Sequence, residues 1–184
     1  MRVTMLKTDT RWIDDFRTRF EPWWADAEPL VTAHEYGKAF ATYPWPTFTD
    51  TPWTPFRRRL SRCRVALVTT GGLFRPGIDV AFDRDAPAGD TSFRAIPDTT
   101  DPKTLAIAHT HFPHGPAEAD MNTIFPLDRL HQAVAEGEIG YTAPTHYSTM
   151  GYAVRADDLA MVTAPTIAAL MREDGVDIAI VVPV

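Results

Sequence analysis

The chain has 184 residues, of which 45% are hydrophobic and 23% are charged, and its formal net charge is −6. This size and composition predict one globular domain with a sizeable core. The acidic balance argues against a nucleic-acid partner held through phosphate contacts, and the sequence shows neither a signal peptide nor an apolar run long enough to span a membrane.

The first predicted element is a helix over residues 9–27. Asp9 and Thr10 predict its N-terminal cap. Aromatic residues then recur at every fourth position, which is typical of a helix face that packs into a core. They are Trp12, Phe16 and Phe20.

Residues 43–55 are rich in proline and tryptophan, a composition that suits neither a helix nor a strand. We therefore expect residues 1–56 to form a helix and an extended arm that packs on the main body, because Trp and Phe bury large apolar areas wherever they sit. The alternative is that the aromatic side chains of residues 43–56 form a surface for a ligand or a partner chain.

The remaining residues, 57–184, alternate strand and helix patterns and are predicted to form an α/β domain. Residues 64–70 are an apolar run suited to a buried strand, and Gly71 and Gly72 end it. A glycine pair at this place could cradle a phosphate, but no third glycine and no helix follow, so a dinucleotide fingerprint is absent and a tight turn is predicted instead.

The start of this domain carries a short basic cluster over residues 57–64, which we expect to be a solvated helix face rather than an anion-binding patch. Cys63 lies within it and is the single cysteine of the chain. A single cysteine can form neither an intrachain disulfide nor a cysteine-based zinc site, which suits a cytoplasmic protein.

Residues 83–104 are polar and rich in turn-forming residues, and residues 93–96 are their one strand candidate. Arg94 lies in this candidate. Its guanidinium could clamp the carboxylate of a substrate, or it could pair with Asp90.

The most informative stretch runs from His109 to Arg129. The preceding residues, 105–108, predict a short buried strand, so His109 and His111 would share one face and could share a metal ion or a proton-transfer site. The polar segment that follows, through Asp120 and Asn122, predicts a loop at the carboxyl end of this strand, where open α/β sheets usually bind their ligands.

Beyond this stretch, a helix is predicted to begin at Pro126 and to end at Gly137, with one apolar face. Residues 141–156, which carry His146, are expected to be irregular. Thr163 is predicted to cap a further helix, and the apolar run at residues 176–184 is of the kind found in a central parallel strand. The fold class is therefore α/β, a mostly parallel sheet flanked by helices, with an irregular N-terminal arm.

Several blocks of the second part resemble the selenoprotein B component of glycine/sarcosine/betaine reductase and the selenocysteine subunit of D-proline reductase. The most specific is the pattern D-x-N-x-x-F-P-L-D-R-L, which begins at Asp120. The others are ALVTTGGL at 66–73, DTSFRAIP at 90–97, HTHF at 109–112, EGEIG at 136–140 and DGVDIAIVVPV at 174–184. The resemblance runs from about Arg57 to Val184.

In that family the last strand leads into a selenocysteine-x-x-cysteine or Cys-x-x-Cys redox motif, which has no counterpart among these residues. The resemblance thus implies a selenocysteine or cysteine beyond Val184 as the nucleophile. One hypothesis is that a UGA codon for selenocysteine follows Val184 and was read as a stop; the alternatives are a deliberate truncation or a degenerate family member. Cys63 is a poor substitute, because it has no paired cysteine and precedes a buried strand.

The resemblance implies reductive cleavage of a C–N bond in a small amino-acid-like substrate, with reductase-complex subunits or a second copy of the chain as partners. His109 or His111 would be the general acid that protonates the leaving amine, since an imidazole titrates near working pH. The side chains expected to bind or orient the substrate are Arg94, Asp120, Asn122 and His146.

Two alternatives belong to other classes. The first is a metal-dependent enzyme that is complete in this chain, with zinc or iron held by His109, His111 and either His114 or Asp120. The second is a non-catalytic family member that acts through partner binding by the aromatic arm.

Overall fold

The computed structural model describes residues 10–48 and 53–184. The chain divides into two units, Met1–Arg57 and Arg58–Val184. Along the described part of the chain, no helix combines the length and the apolarity that crossing a bilayer requires.

The first unit is built on a long amphipathic helix, α1 (Arg11–Thr32), followed by the single turn of α2 (Tyr36–Ala39). The predicted aromatic stripe is confirmed for Phe16 and Phe20, which are buried. The helix extends beyond residue 27 because its buried face continues through Val31. Its predicted cap is not confirmed, because Thr10 makes no side-chain capping bond and Asp9 lies outside the described residues.

The described part of the arm, residues 43–48 and 53–56, has neither helix nor strand, as its prolines predict. Tyr43 is buried against Trp23, with ring centroids 4.9 Å apart. Three other aromatic side chains were expected to be buried and are largely exposed, although Trp45 contacts the Tyr43 ring and Phe48 contacts the Trp12 ring. They are Trp45, Phe48 and Trp53, which are 68%, 66% and 81% exposed.

The second unit contains two sheets. Its described strands are β1 (Arg64–Thr69), β2 (Leu73–Phe74), β3 (Phe93–Pro97), β4 (Ala106–Ile107), β5 (Tyr141–Thr142), β6 (Thr145–Thr149) and β7 (Ile178–Val182). In the main sheet β1 pairs in parallel with β5, β6 and β7, whereas β3 pairs antiparallel with β6. The prediction of a mostly parallel sheet is confirmed.

Strand β6 lies between β3 and β1 in the middle of this sheet, so the prediction that residues 141–156 are irregular is wrong. Its sequence lacks the usual apolar pattern because two of its polar side chains bond to the backbone of neighbouring segments. His146 Nδ1 accepts from the Leu67 N–H, and Ser148 Oγ accepts from the Leu73 N–H. Both side chains are fully buried.

Two further strand predictions are corrected. β4 does not join the main sheet, because it pairs antiparallel with β2 in a separate two-stranded sheet. β7 is parallel, as predicted, but among the described strands it pairs with β1 alone and lies at an edge. Ile180 and Val181 are 43% and 61% exposed there.

The helices of this unit are α3 (Gly115–Ala119), α4 (Leu127–Ala135), α5 (Ala156–Asp158) and α6 (Ala164–Glu173). The predicted helix after Pro126 is confirmed, and α4 buries Leu127 and Leu130. Thr163 is not a helix cap, because it lies in a π-helical turn and its hydroxyl donates to the Thr91 carbonyl.

Candidate functional site

The histidines that follow β4 do not share one face. The strand ends at Ile107, so the alternation expected of His109 and His111 no longer applies. His109 is buried and His111 is exposed, and their rings are edge to face with centroids 5.7 Å apart. His111 instead stacks on Tyr152, at 3.9 Å between centroids.

His109 is held in one tautomer by the backbone. Its Nδ1 accepts from the His111 N–H at 3.0 Å, so the proton of the neutral ring is on Nε2. Nε2 is buried and has no hydrogen-bond partner among the described residues. An unsatisfied buried donor costs about 1–3 kcal/mol, so a feature of this kind calls for a functional explanation.

His109 is also held uncharged. Burial, together with the nearby imidazoles of His111 and His114, lowers its pKa to about 4. At neutral pH its protonated form is therefore on the order of one part in a thousand. This argues against the predicted role of His109 as an imidazolium acid.

Nε2 of His109 lies where the carboxyl ends of the parallel strands meet. A Cβ built on Gly151, just after β6, would be 3.1 Å from this nitrogen, 3.1 Å from the Val184 carbonyl oxygen and 3.2 Å from that of Thr70. Thr70 follows β1, and its hydroxyl accepts from the Val184 N–H at 2.8 Å. A side chain at 151 would therefore crowd all three atoms.

The glycine pair after β1 brings the backbone of β1 close to His109. Gly72 has φ +67°, and a Cβ there would lie 2.8 Å from the Ala108 carbonyl oxygen and 3.1 Å from the His109 Cβ. The Gly72 carbonyl accepts from the Ala108 N–H at 2.9 Å. The predicted tight turn is not found at the pair, because Gly71 forms an isolated antiparallel bridge with Met150 and the Gly72 N–H donates to the Thr149 carbonyl. The close approach of Gly72 to Ala108 positions His109 from one side.

The predicted metal set is not assembled. His114 Nε2 donates to the His109 carbonyl oxygen at 2.5 Å, and the His109 Nδ1 is occupied by the backbone. The fourth candidate, Asp120, bonds to Asn122. Within the residues that the structure describes, no three or more His, Cys, Asp or Glu side chains are arranged to hold a metal ion.

Asp120 and Asn122 act as caps in this structure. Asp120 Oδ1 accepts from the Asn122 N–H and closes a single 3₁₀ turn. Asn122 Oδ1 then accepts from the Asp128 N–H in the first turn of α4, at 3.2 Å, and its amide donates to both carboxylates. The bond from Asn122 also lowers the pKa of Asp120.

Both residues also line a groove of about 450 Å³. Its polar lining comes from one lysine, one histidine, one asparagine and three carboxylates, and the other lining residues are apolar. The polar lining residues are Lys103, His114, Glu118, Asp120, Asn122 and Asp128. A small ligand that carries an ammonium group suits this excess of carboxylates.

Arg94 is used to order a loop rather than to clamp a ligand. Its Nε donates to the Val80 carbonyl and its Nη2 to that of Ala81, while the guanidinium lies 4.0 Å from the Phe82 ring centroid. Nη2 also lies 3.9 Å from an Asp90 oxygen. The sequence left two roles open, and these contacts favour the pairing with Asp90.

His146 is not available to a substrate. Its Nδ1 accepts from the backbone of β1, so its Nε2 carries the proton, which it donates to Asp98 at 2.9 Å. His131 and Thr142 donate to the same carboxylate. The sequence offered no signal for this network, because its members lie far apart along the chain: Asp98, His131, Thr142 and His146.

At the carboxyl ends of the parallel strands, the uncharged imidazole of His109 can donate one hydrogen bond from Nε2 to an acceptor atom. The acceptor must carry a lone pair, because Nε2 offers an N–H. Cys63 does not supply it. Its thiol is fully buried, donates to the Arg59 carbonyl and precedes β1 at the opposite end of the strand.

Comparisons of the chain with known proteins all point to one family. The family described as glycine/sarcosine/betaine reductase selenoprotein B matches residues 30–183, and so begins upstream of Arg57, the approximate start of the resemblance seen in the sequence. The chain is 34% identical to the D-proline reductase subunit gamma of Acetoanaerobium sticklandii over 125 residues, which are 68% of this chain and 50% of that protein.

Two further relatives are components of complexes. The glycine reductase complex component B subunit gamma of Carboxydothermus hydrogenoformans is 30% identical over 154 residues, 82% of this chain and 35% of the relative. The betaine reductase complex component B subunit beta of Peptoclostridium acidaminophilum is 33% identical over 123 residues, which are 64% of this chain and 27% of that relative. The chain thus spans half the length of these relatives or less. No solved structure matches it.

Proposed function

The chain belongs to the glycine/sarcosine/betaine reductase selenoprotein B family, and from this premise we propose that it takes part in the reductive cleavage of a C–N bond in a small amino acid derivative. In that reaction the C–N bond breaks, a C–H and an N–H bond form, and two electrons and two protons are consumed. A thiol or selenol pair supplies the electrons. The observation that carries the proposal is the family match over residues 30–183.

The partners in this proposal are the other subunits of a reductase complex. Support comes from the names of the relatives, which are subunits or components of such complexes. The redox pair itself does not come from these 184 residues, because Cys63 is buried and is their single cysteine.

The substrate in this proposal binds in the groove next to α3. Its zwitterionic class follows from charge: Glu118, Asp120 and Asp128 attract an ammonium group, and Lys103 attracts a carboxylate. A volume of about 450 Å³ accommodates a small amino acid.

His111 is the better candidate for the acid that protonates the leaving amine. It is exposed, so its imidazole can exchange protons with solvent, whereas His109 is buried and uncharged at neutral pH. Tyr152 stacks on the His111 ring and fixes its plane.

The proposal is tested in a reductase complex reconstituted with and without this chain. Glycine, sarcosine, betaine and D-proline are supplied in turn, with dithiothreitol as the electron donor. Release of the amine, or of the ring-opened amino acid for D-proline, is measured. We expect one of these substrates to be reduced when the chain is present. A complete complex that reduces none of them would overturn the proposal.

A matched pair of glutamates tests the groove. Glu118→Gln removes a carboxylate from the groove and should raise KM about fivefold, the effect of losing roughly 1 kcal/mol from a partly exposed ion pair. Glu136→Gln, at the far end of α4 and outside the groove, should leave KM unchanged. Equal KM values in both variants would show that the groove does not bind the substrate.

A further inference from the structure

We infer that the Nε2–H of His109 is the hydrogen-bond donor for the sulfur or selenium anion that delivers the electrons. The inference rests on the proposed function and gives His109 a role that differs from that of an acid. In this role the imidazole stays neutral and donates one hydrogen bond, which stabilises the anion that attacks the substrate.

The first support is the fixed tautomer. The backbone N–H of His111 occupies Nδ1, so the ring presents its N–H through Nε2. That group is buried in a residue only 2% exposed and meets no acceptor among the described residues. An N–H held in one direction without a partner is preorganised for an acceptor that comes from elsewhere.

The second support is location. A Cβ built on Gly151 would lie 3.1 Å from Nε2, 3.1 Å from the Val184 carbonyl oxygen and 3.2 Å from that of Thr70. Gly151, Thr70 and Val184 follow β6, β1 and β7, so this nitrogen lies beside the carboxyl ends of these three strands. Cys63 is excluded as the sulfur anion, because the six residues of β1 separate it from these carboxyl ends by about 20 Å.

The third support is the charge of the surroundings. Burial and the imidazoles of His111 and His114 all disfavour a proton on His109, so the ring remains a donor without becoming a cation. Because Nε2 carries the proton of the neutral ring, it cannot accept a hydrogen bond from a substrate ammonium group. A sulfur or selenium anion can accept the bond that this N–H offers.

The first test needs no reductase activity. Nitrogen-15 NMR of the histidine side chains in the purified chain reports the tautomer of each ring, and His109→Phe assigns the signal. Sodium hydrosulfide is then added at pH 8 as a small sulfur anion. We expect a saturable shift of the His109 Nε2 signal, with no shift at His34, which lies in the first unit.

Sodium chloride at the same concentrations is the control for an anion without sulfur. An equal saturable shift with chloride would mean an unselective anion site and would overturn the inference, as would the absence of any shift with hydrosulfide. Gly151→Ala places a methyl group 3.1 Å from Nε2 and should weaken the hydrosulfide effect.

The second test uses the reconstituted complex. His109→Phe removes the donor, and the acid limb of the pH profile of kcat/KM should move up by about one pH unit, because the anion loses its stabilising hydrogen bond. His109→Gln keeps an N–H at a similar reach and should stay closer to the wild type. If the pH profiles of kcat/KM were the same for His109→Phe and His109→Gln, the donor role would be contradicted.

The two proposals fail separately. If the complete complex reduces no substrate, the proposed function fails, and the hydrosulfide titration still decides whether Nε2 binds a sulfur anion. If the complex is active but hydrosulfide leaves the His109 signal unchanged, the inference about His109 fails and the proposed function stands.

Discussion

Asp98 and His146 are joined by a hydrogen bond of 2.9 Å, although 48 positions separate them in the sequence. The imidazole in turn accepts from the Leu67 N–H of β1. His131 on α4 and Thr142 on β5 donate to the same carboxylate. One carboxylate, directly after β3, therefore connects side chains of β5, β6 and α4.

The second unit should lose stability as the pH falls below about 6.5. Burial lowers the pKa of His146 against the opposing effect of Asp98, and the pKa of His109 is lowered to about 4. Unfolded histidines titrate near 6.5, so below that pH the unfolded chain binds more protons and is favoured. This contribution to stability is present above pH 6.5 and is lost as the pH falls toward 4.

The check is the free energy of unfolding in urea at pH 7.5, 6.0 and 5.0. His34→Asn is the matched control, since this histidine is exposed, lies in the first unit and has a φ of 58° that asparagine tolerates. The free energy of unfolding of this variant should change with pH in the same way as that of the wild type. A wild-type free energy that stays constant over this range would contradict the prediction.

Asp98→Asn should destabilise the protein by about 1–3 kcal/mol. The amide nitrogen replaces an acceptor, so at least one of the donors from His146, His131 and Thr142 is left without a partner. Asp85→Asn makes the same change of charge at a side chain that is 85% exposed, and it should cost less than about 0.5 kcal/mol. The free energy of unfolding is measured in urea. If both variants lost a similar amount, the change in net charge, and not the lost hydrogen bonds, would explain the effect.

Asn122→Ala should cost about 1 kcal/mol, because the side chain satisfies the Asp128 N–H in the first turn of α4. Gln132→Ala on the same helix removes contacts with exposed side chains only and should be nearly neutral. Thermal and urea unfolding of the two variants measure the difference. If both have wild-type stability, Asn122 is not a cap in solution.

Gly72→Ala should destabilise the protein far more than Gly77→Ala. Both glycines have positive φ, +67° and +76°, so alanine is strained at each by about 1–2 kcal/mol. At Gly72 the new methyl group also meets the Ala108 carbonyl oxygen at 2.8 Å, whereas at Gly77 nothing lies within 4 Å. Equal midpoints of unfolding for the two variants would mean that Gly72 does not approach Ala108 this closely.

Much of the fold follows from local pattern. Apolar runs correctly predicted β1 and β7, because such runs are buried in a sheet. The strand candidate at residues 93–96 correctly predicted β3, and the apolar face between Pro126 and Gly137 correctly predicted α4. β6 escaped prediction because its buried positions are His146 and Ser148, whose burial depends on backbone donors from Leu67 and Leu73. No local signal reports a partner that is more than 70 positions away.

The sequence by itself determined the family, the parallel α/β class and the segment from His109 onward in which the candidate site lies. Tertiary structure alone decided what the residues of that segment can do. It buried His109 and exposed His111, bonded Arg94 to its own loop and His146 to Asp98, and left the Nε2–H of His109 without a partner among the described residues. The physical reason is that burial, pKa and hydrogen-bond saturation depend on neighbours brought together by folding, which residue type and spacing do not specify.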